Sequence, residues 1–119
     1  MKYLLSFLMF VFLSTVAFAT GTHPRANGQF LATAYAQTGI TRSGKPARRG
    51  FVAADPRVLP LGTKVLVSNA GPYSGTYTVA DTGAKVRGRH IDIFMPSVYR
   101  AREFGRKMVQ VKVLAWGEG

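Results

Sequence analysis

The 119-residue sequence predicts an all-β (mainly β) fold: a small closed barrel of six strands with one short helix near the C-terminus. Three observations predict it. Short apolar or alternating segments recur between turns marked by glycine, proline and asparagine. Only one stretch spaces its apolar residues as a helix does. The chain has no cysteine, so no disulfide supports it, and closing the sheet removes exposed strand edges.

The elements follow in order. Residues 1–19 read as a secretory signal peptide: Met1-Lys2-Tyr3, an apolar run from Leu4 to Phe18 broken by Ser6, Ser14 and Thr15, then Ala17-Phe18-Ala19 as the cleavage signature. A membrane anchor is the competing reading, but the run is short of the ~20 residues a spanning helix needs. No cysteine follows the cut, which excludes a lipid-anchored product. Cleavage leaves 100 of the 119 residues and, with Lys2 gone, takes the formal charge from +11 to +10. That length suits one domain. Residues 20–28 are polar and read as a flexible lead, and 29–119 as the domain.

Gln29–Tyr35 alternates, with Phe30, Ala32 and Ala34 opposite Leu31, Thr33 and Tyr35, and reads as the first strand. Gln37 to Gly50 is a long polar loop, expected to be functional or mobile. Phe51–Ala54 is a short apolar strand that stops at Asp55-Pro56. Lys64–Val67 and Thr76–Ala80 are the third and fourth strands, separated by the turn "AGPYSG". His90–Phe94 is the fifth, with Ile91 and Ile93 on one face. Ser97 caps a helix carrying Val98, Ala101 and Phe104, and Gly105 closes it. Met108–Trp116 alternates Val109, Val111 and Val113 against Gln110 and Lys112 as the closing strand.

Charge narrows the function classes. A basic cytoplasmic chain points first to nucleic acid. Export redirects that expectation toward anionic wall polymers and away from nucleic acid or stable membrane insertion, and a basic surface would concentrate the protein on such a wall. High charge also simply keeps a small exported domain soluble. With no cysteine and only His23 and His90, no zinc set is implied, and the aspartate spacing matches no EF-type calcium loop. No metal and no cofactor are expected, and the chain is expected to be a monomer.

The carboxylates are the candidate chemistry. The chain's only aspartates are Asp55, Asp81 and Asp92, each directly after or within an apolar strand segment. Between the last two lie Lys85, Arg87, Arg89 and His90. Asp92 points opposite to its neighbours Ile91 and Ile93; if those fill the core, it faces outward or into a groove. Each aspartate also has a structural reading: Asp55-Pro56 as a turn former, Asp92 as a salt-bridge partner. Tyr35, Tyr73, Tyr77, Tyr99 and Trp116 suit a sugar groove or ordinary packing. One well-placed carboxylic acid can protonate a glycosidic oxygen. A second carboxylate becomes dispensable when the substrate supplies its own nucleophile.

Read in order, Thr41-x-Ser43-Gly44, Ala54-Asp55-Pro56, Pro60-Leu61-Gly62-Thr63 and Asp81-Thr82-Gly83, with Gly88 and Ile91-Asp92-Ile93 following, resemble the 3D domain, named for its three aspartates. The resemblance runs from about Ala32 to Leu114. It implies a six-stranded double-psi β-barrel, as in the catalytic domain of membrane-bound lytic transglycosylase A and in expansins. It also implies action on the glycan strands of peptidoglycan, in the periplasm or cell wall. By that resemblance Asp92 is the acid/base, Asp81 and Asp55 support it, and Thr41 lines the groove. Ser43, Thr82, Gly83, Lys85, Arg87 and His90 complete the expected substrate-binding set. A non-catalytic wall-binding or wall-loosening module, as in expansins, is the alternative. Two positions depart from the family pattern: Ala84 where a glycine follows D-T-G, and Ala36 where a cysteine follows "TAY".

Overall fold

A computed structural model describes residues 26–119. The proposed signal peptide and most of the lead lie outside the described residues. The last residues of that lead are tied down: Ala26 is buried, and Asn27 accepts the Val113 amide through Oδ1 and the Arg89 guanidinium through its carbonyl.

Six strands close a barrel: β1 (Gly28–Tyr35), β2 (Phe51–Ala54), β3 (Lys64–Ser68), β4 (Gly75–Asp81), β5 (His90–Phe94) and β6 (Lys107–Ala115). Around the barrel the order is β1-β5-β2-β4-β3-β6. The β1–β5 and β2–β4 pairs are parallel and the other four antiparallel. Each parallel partner therefore lies far along the chain, and long connections must cross the barrel's outside between them. The 36–50 connection joins β1 to β2 and 82–89 joins β4 to β5, and each sends one amide, from Arg42 and Thr82, to Asp81 Oδ1.

Alternation puts the apolar phase of each strand inside. Phe30 and Ala32 of β1, Val52 and Ala54 of β2, Val65 and Val67 of β3, Val79 of β4, Ile91 and Ile93 of β5, and Val109 and Val111 of β6 form one buried cluster. Leu59, Met95 and Phe104 complete it. The α-helix α1 (Val98–Phe104) begins as its sequence predicts, with Ser97 Oγ accepting the Arg100 amide. It ends at Gly105, whose φ of 64° suits glycine. A single 3₁₀ turn, Gly71–Tyr73, occupies the expected β3–β4 turn.

The 37–50 connection is more ordered than its composition predicts. Ile40 and Pro46 form an isolated antiparallel bridge, and the Ala47 amide reaches the Gly39 carbonyl at 2.8 Å. The Ser43 amide then donates to the Ala80 carbonyl at 2.9 Å, fastening the loop to the end of β4.

Candidate functional site

Strand β2 is the hub of the site. Ala53 pairs with Asp92 of β5 on one side and with Asp81 of β4 on the other, and Asp92 pairs in turn with Thr33 of β1. One row therefore runs Thr33–Asp92–Ala53–Asp81 across four strands. At the usual spacing between strands, the two aspartates' Cα atoms lie about 10 Å apart. Residues eleven apart in sequence become next-but-one neighbours in the sheet.

An irregularity makes this possible. The β2–β4 register shifts between Val52 and Ala53, so Val52 faces Val79 but Ala53 faces Asp81. The extra residue is Ala80. Strict alternation would put Asp81 on the inward face of Val79; the bulge turns it to the row shared with Asp92.

Asp92 is half-buried on the outer face, opposite Ile91 and Ile93, which are fully buried. The Thr33 hydroxyl donates to Asp92 Oδ1 at 2.8 Å. Thr33 Oγ1 also lies 2.8 Å from His90 Nε2. Since Thr33 has one hydrogen to give, His90 donates to it while Thr33 donates to the carboxylate. Burial raises the Asp92 carboxyl above its ordinary value, against the Thr33 hydrogen bond and the nearby His90, which lower it. Burial is thus the cause of the rise, and of the basic residues between Asp81 and Asp92 His90 is the one that opposes it.

Two of the remaining cations are engaged elsewhere. Arg89 runs back to the start of β1, donating to the carbonyls of Gln29 and Asn27 and lying over the Phe30 ring. Arg87 donates to the Ala84 carbonyl at 3.0 Å, closing its own loop. Lys85 is exposed on that loop.

Asp81 Oδ1 accepts the backbone amides of Arg42 and Thr82, both at 2.9 Å. It thus ties the 37–50 loop to the strand end. Gly83 is exposed and accepts the Val86 amide. Asp55 is 3% exposed and fully occupied. It accepts two guanidinium hydrogen bonds and the amide of Arg57, together with the Gly88 amide at 2.8 Å. The Arg57 side chain, and after it the amides of Gly88 and Arg57, hold its carboxyl well below the usual carboxylate range. Such a group holds the 82–89 loop in place and has no proton to give at neutral pH.

Thr41 differs from its expected place. It is 5% exposed, and its hydroxyl donates to the Lys45 carbonyl at 2.7 Å while meeting Ser43 Oγ at 2.7 Å. Thr41 therefore braces the loop from within, not on an open groove wall, and exposed Ser43 packs its hydroxyl against it from outside. Ala84 is harmless to the backbone, because Asn69 is the only non-glycine with positive φ among the described residues.

Residue reasoning missed Thr33 and Ala53. Thr33 stands on the outward phase of β1, which was legible, but its partner is set by the β1–β5 register, which was not. Tyr35 emerges as more than a groove wall. Its hydroxyl is buried without a hydrogen-bond partner among the described residues. Burial first, then Asp81 and Asp92, push that phenol up to about 12. Tyr35 lines a cleft of about 190 Å³ with Gln37, Thr38, Gly39, Ile40, Ala47 and Asp81. With Gln37 it also lines a second, shallower cleft of about 440 Å³ that reaches Val98 and Ala101 of α1. Among the described residues no three His, Cys, Asp or Glu side chains gather to hold a metal ion.

This geometry can be set beside known proteins. The 3D domain profile matches residues 50–115, more than half of the chain and all of the Asp55–Asp81–Asp92 set. The chain belongs to the 3D domain family. Two curated relatives come from Bacillus subtilis (strain 168). One, named cell wall-binding protein YocH, is 44% identical over 77 residues, which are 65% of this chain and 25% of that protein. The other, named putative cell wall shaping protein YabE, is 38% identical over 78 residues, 65% of this chain and 18% of that protein. The chain thus spans a quarter or less of their lengths. Among solved structures, the lytic transglycosylase MltA from Escherichia coli superposes with a TM-score of 0.55 at 22% identity, covering 68% of this chain and 28% of that one. The 3D domain described here therefore has the barrel fold found within MltA.

Proposed function

We propose that this domain is a peptidoglycan lytic transglycosylase, secreted to the periplasm or cell wall, with Asp92 as its single acid and base. The carrying observation is the environment of Asp92: a half-buried carboxyl, raised by burial and oriented by Thr33, on the outer face that two connections border. A raised carboxyl is what a general acid near neutral pH requires. Protonated Asp92 would donate to the oxygen of the MurNAc–GlcNAc β-1,4 bond as the C1–O bond breaks. The muramoyl C6 hydroxyl would then bond to C1, and its proton would return to the Asp92 carboxylate. The product is a 1,6-anhydro end, and the acid is regenerated. The attacking hydroxyl belongs to the substrate, so its high effective concentration replaces a second catalytic carboxylate. In this reading Asp81 and Asp55 shape the two loops, and Thr33 and His90 orient Asp92.

The second reading is a wall-binding module without cleavage, and the name of the YocH relative favours it. Digestion of purified peptidoglycan followed by mass spectrometry of the muropeptides separates the two. Anhydro ends are expected, and Asp92→Asn is expected to abolish them, at least a hundredfold on the scale of lost general acid–base catalysis, while leaving the circular dichroism spectrum unchanged. Ordinary reducing ends would instead assign hydrolysis, with water activated near Asp81. Intact glycan with retained binding would assign the binding module.

A further inference from the structure

A third cleft lies apart from both clefts that Tyr35 lines. A cleft of about 330 Å³ is lined by Arg49, Pro72, Tyr73, Met95, Pro96 and Arg100. Its floor is fixed: Tyr73 meets Phe104 edge-on at 5.6 Å, and buried Met95 donates its amide to the Tyr35 carbonyl at 2.8 Å. Its walls carry two guanidinium groups. Neither has an acidic partner among the described residues, where the one ion pair joins Arg57 to Asp55. Nor does local structure account for Arg100. It stands in the first turn of α1, which holds no acidic residue and where the helix dipole disfavours a cation. Two like charges bordering one cleft repel, and an anion between them relieves the repulsion. Paired guanidinium forks on a rigid floor of tyrosine and proline suit a planar oxyanion.

The cleft's position limits what that oxyanion belongs to. Met95 and Pro96 follow Asp92 by three and four residues, just past the end of β5, which keeps the floor within about 13 Å of the Asp92 backbone. A ligand there is not the reacting sugar but a branch of the same bound strand. We infer that the Arg49–Arg100 cleft is a subsite for a carboxylate of the peptide branch carried by the glycan, so that the domain prefers peptide-bearing strands over bare ones. This rests on the glycan reading of Asp92. A phosphodiester polymer of the wall offers a similar charge but no fixed distance from Asp92.

The test uses the full chain, wild type and the Arg49→Gln/Arg100→Gln double variant. Binding is measured to peptide-bearing glycan strands and to the same strands stripped by an amidase. A charge-assisted contact of this kind corresponds to about tenfold in affinity or more. Wild type is expected to bind the peptide-bearing strands about tenfold more tightly. The double variant is expected to bind both alike, at the wild-type affinity for stripped strands. Its melting temperature should not change, because neither guanidinium is bonded within the described residues, and the Arg→Lys pair should recover part of the preference. Equal wild-type binding to both strands overturns the subsite while leaving the glycan reading standing; binding to neither overturns both. If the double variant keeps its preference for peptide-bearing strands and instead loses affinity for a soluble glycerol-phosphate polymer, the cleft is a phosphate site and the inference is wrong.

Discussion

Thr33 connects Asp92 to His90 through a hydroxyl with a single hydrogen, so the state of one acid fixes the direction of two bonds. With Asp92 ionised, Thr33 donates to it and His90 Nε2 donates to Thr33. With Asp92 protonated, the carboxyl can donate to Thr33, which can then turn its hydrogen toward a bare Nε2. Tyr35 is the other residue whose polar atom decides something. A buried hydroxyl without a partner costs stability that a phenyl ring of the same shape does not. Tyr35→Phe keeps the edge-on contact with Phe94 at 5.5 Å and removes the orphan. The expected gain is about 1 kcal/mol, read as a higher urea midpoint at unchanged slope. A lower midpoint would mean that the hydroxyl has a partner after all. The sequence showed Tyr35 on the phase opposite Phe30 but could not show that its hydroxyl would face two carboxylates, because those arrive from β4 and β5.

At the scale of elements, the strands were legible because alternation is a local signal. The expected limits of the second and fifth strands match, and those of the others move by one residue. The helix was legible from its cap and closing glycine. The bulge at Ala80 was not, since "TVAD" reads as simple alternation and the extra residue exists only relative to β2. The role of Asp55 was half-legible. Its turn chemistry was visible, whereas its bond to Gly88, thirty-three positions away, needed the fold. That bond has a pH signature. The folded-state pKa of Asp55 is depressed, so its contribution is fully present above the unfolded value, near 4 for aspartate. It is lost as pH falls from there through the folded pKa. Asp55→Asn should therefore cost about 2 kcal/mol at pH 7. It should also flatten the decline in stability below pH 4 that the wild type shows. Denaturant titrations of both proteins at pH 7 and pH 3 check this; parallel losses in the two would remove Asp55 as the staple of the 82–89 loop.

Over the whole molecule, charge is divided unevenly. Sixteen Lys and Arg stand against five acids, and three of those acids belong to the row and loops of the site. Glu103 and Glu118 are the only others, so cations dominate the exterior, in keeping with the chain's formal +11. A closed barrel with one continuous core tolerates that self-repulsion without a disulfide, because every strand has two neighbours. The division makes binding and chemistry respond differently to salt. On the proposed function, exposed cations would act on a wall polymer across water, where the screening length falls from about 10 Å at 0.1 M salt to about 3 Å at 1 M. Asp92 and its Thr33 bond are half-buried and in contact, so the same salt reaches them far less. Raising salt from 0.1 to 1 M should therefore increase the half-saturating concentration of glycan about tenfold, the scale set by losing a few cation contacts. The maximal rate should change less than twofold. Glycan-release assays over a substrate series at both salts separate the two quantities. A collapse of the maximal rate with unchanged half-saturation would put the exposed cations in the chemical step and Asp92 in a different electrostatic setting from the one described.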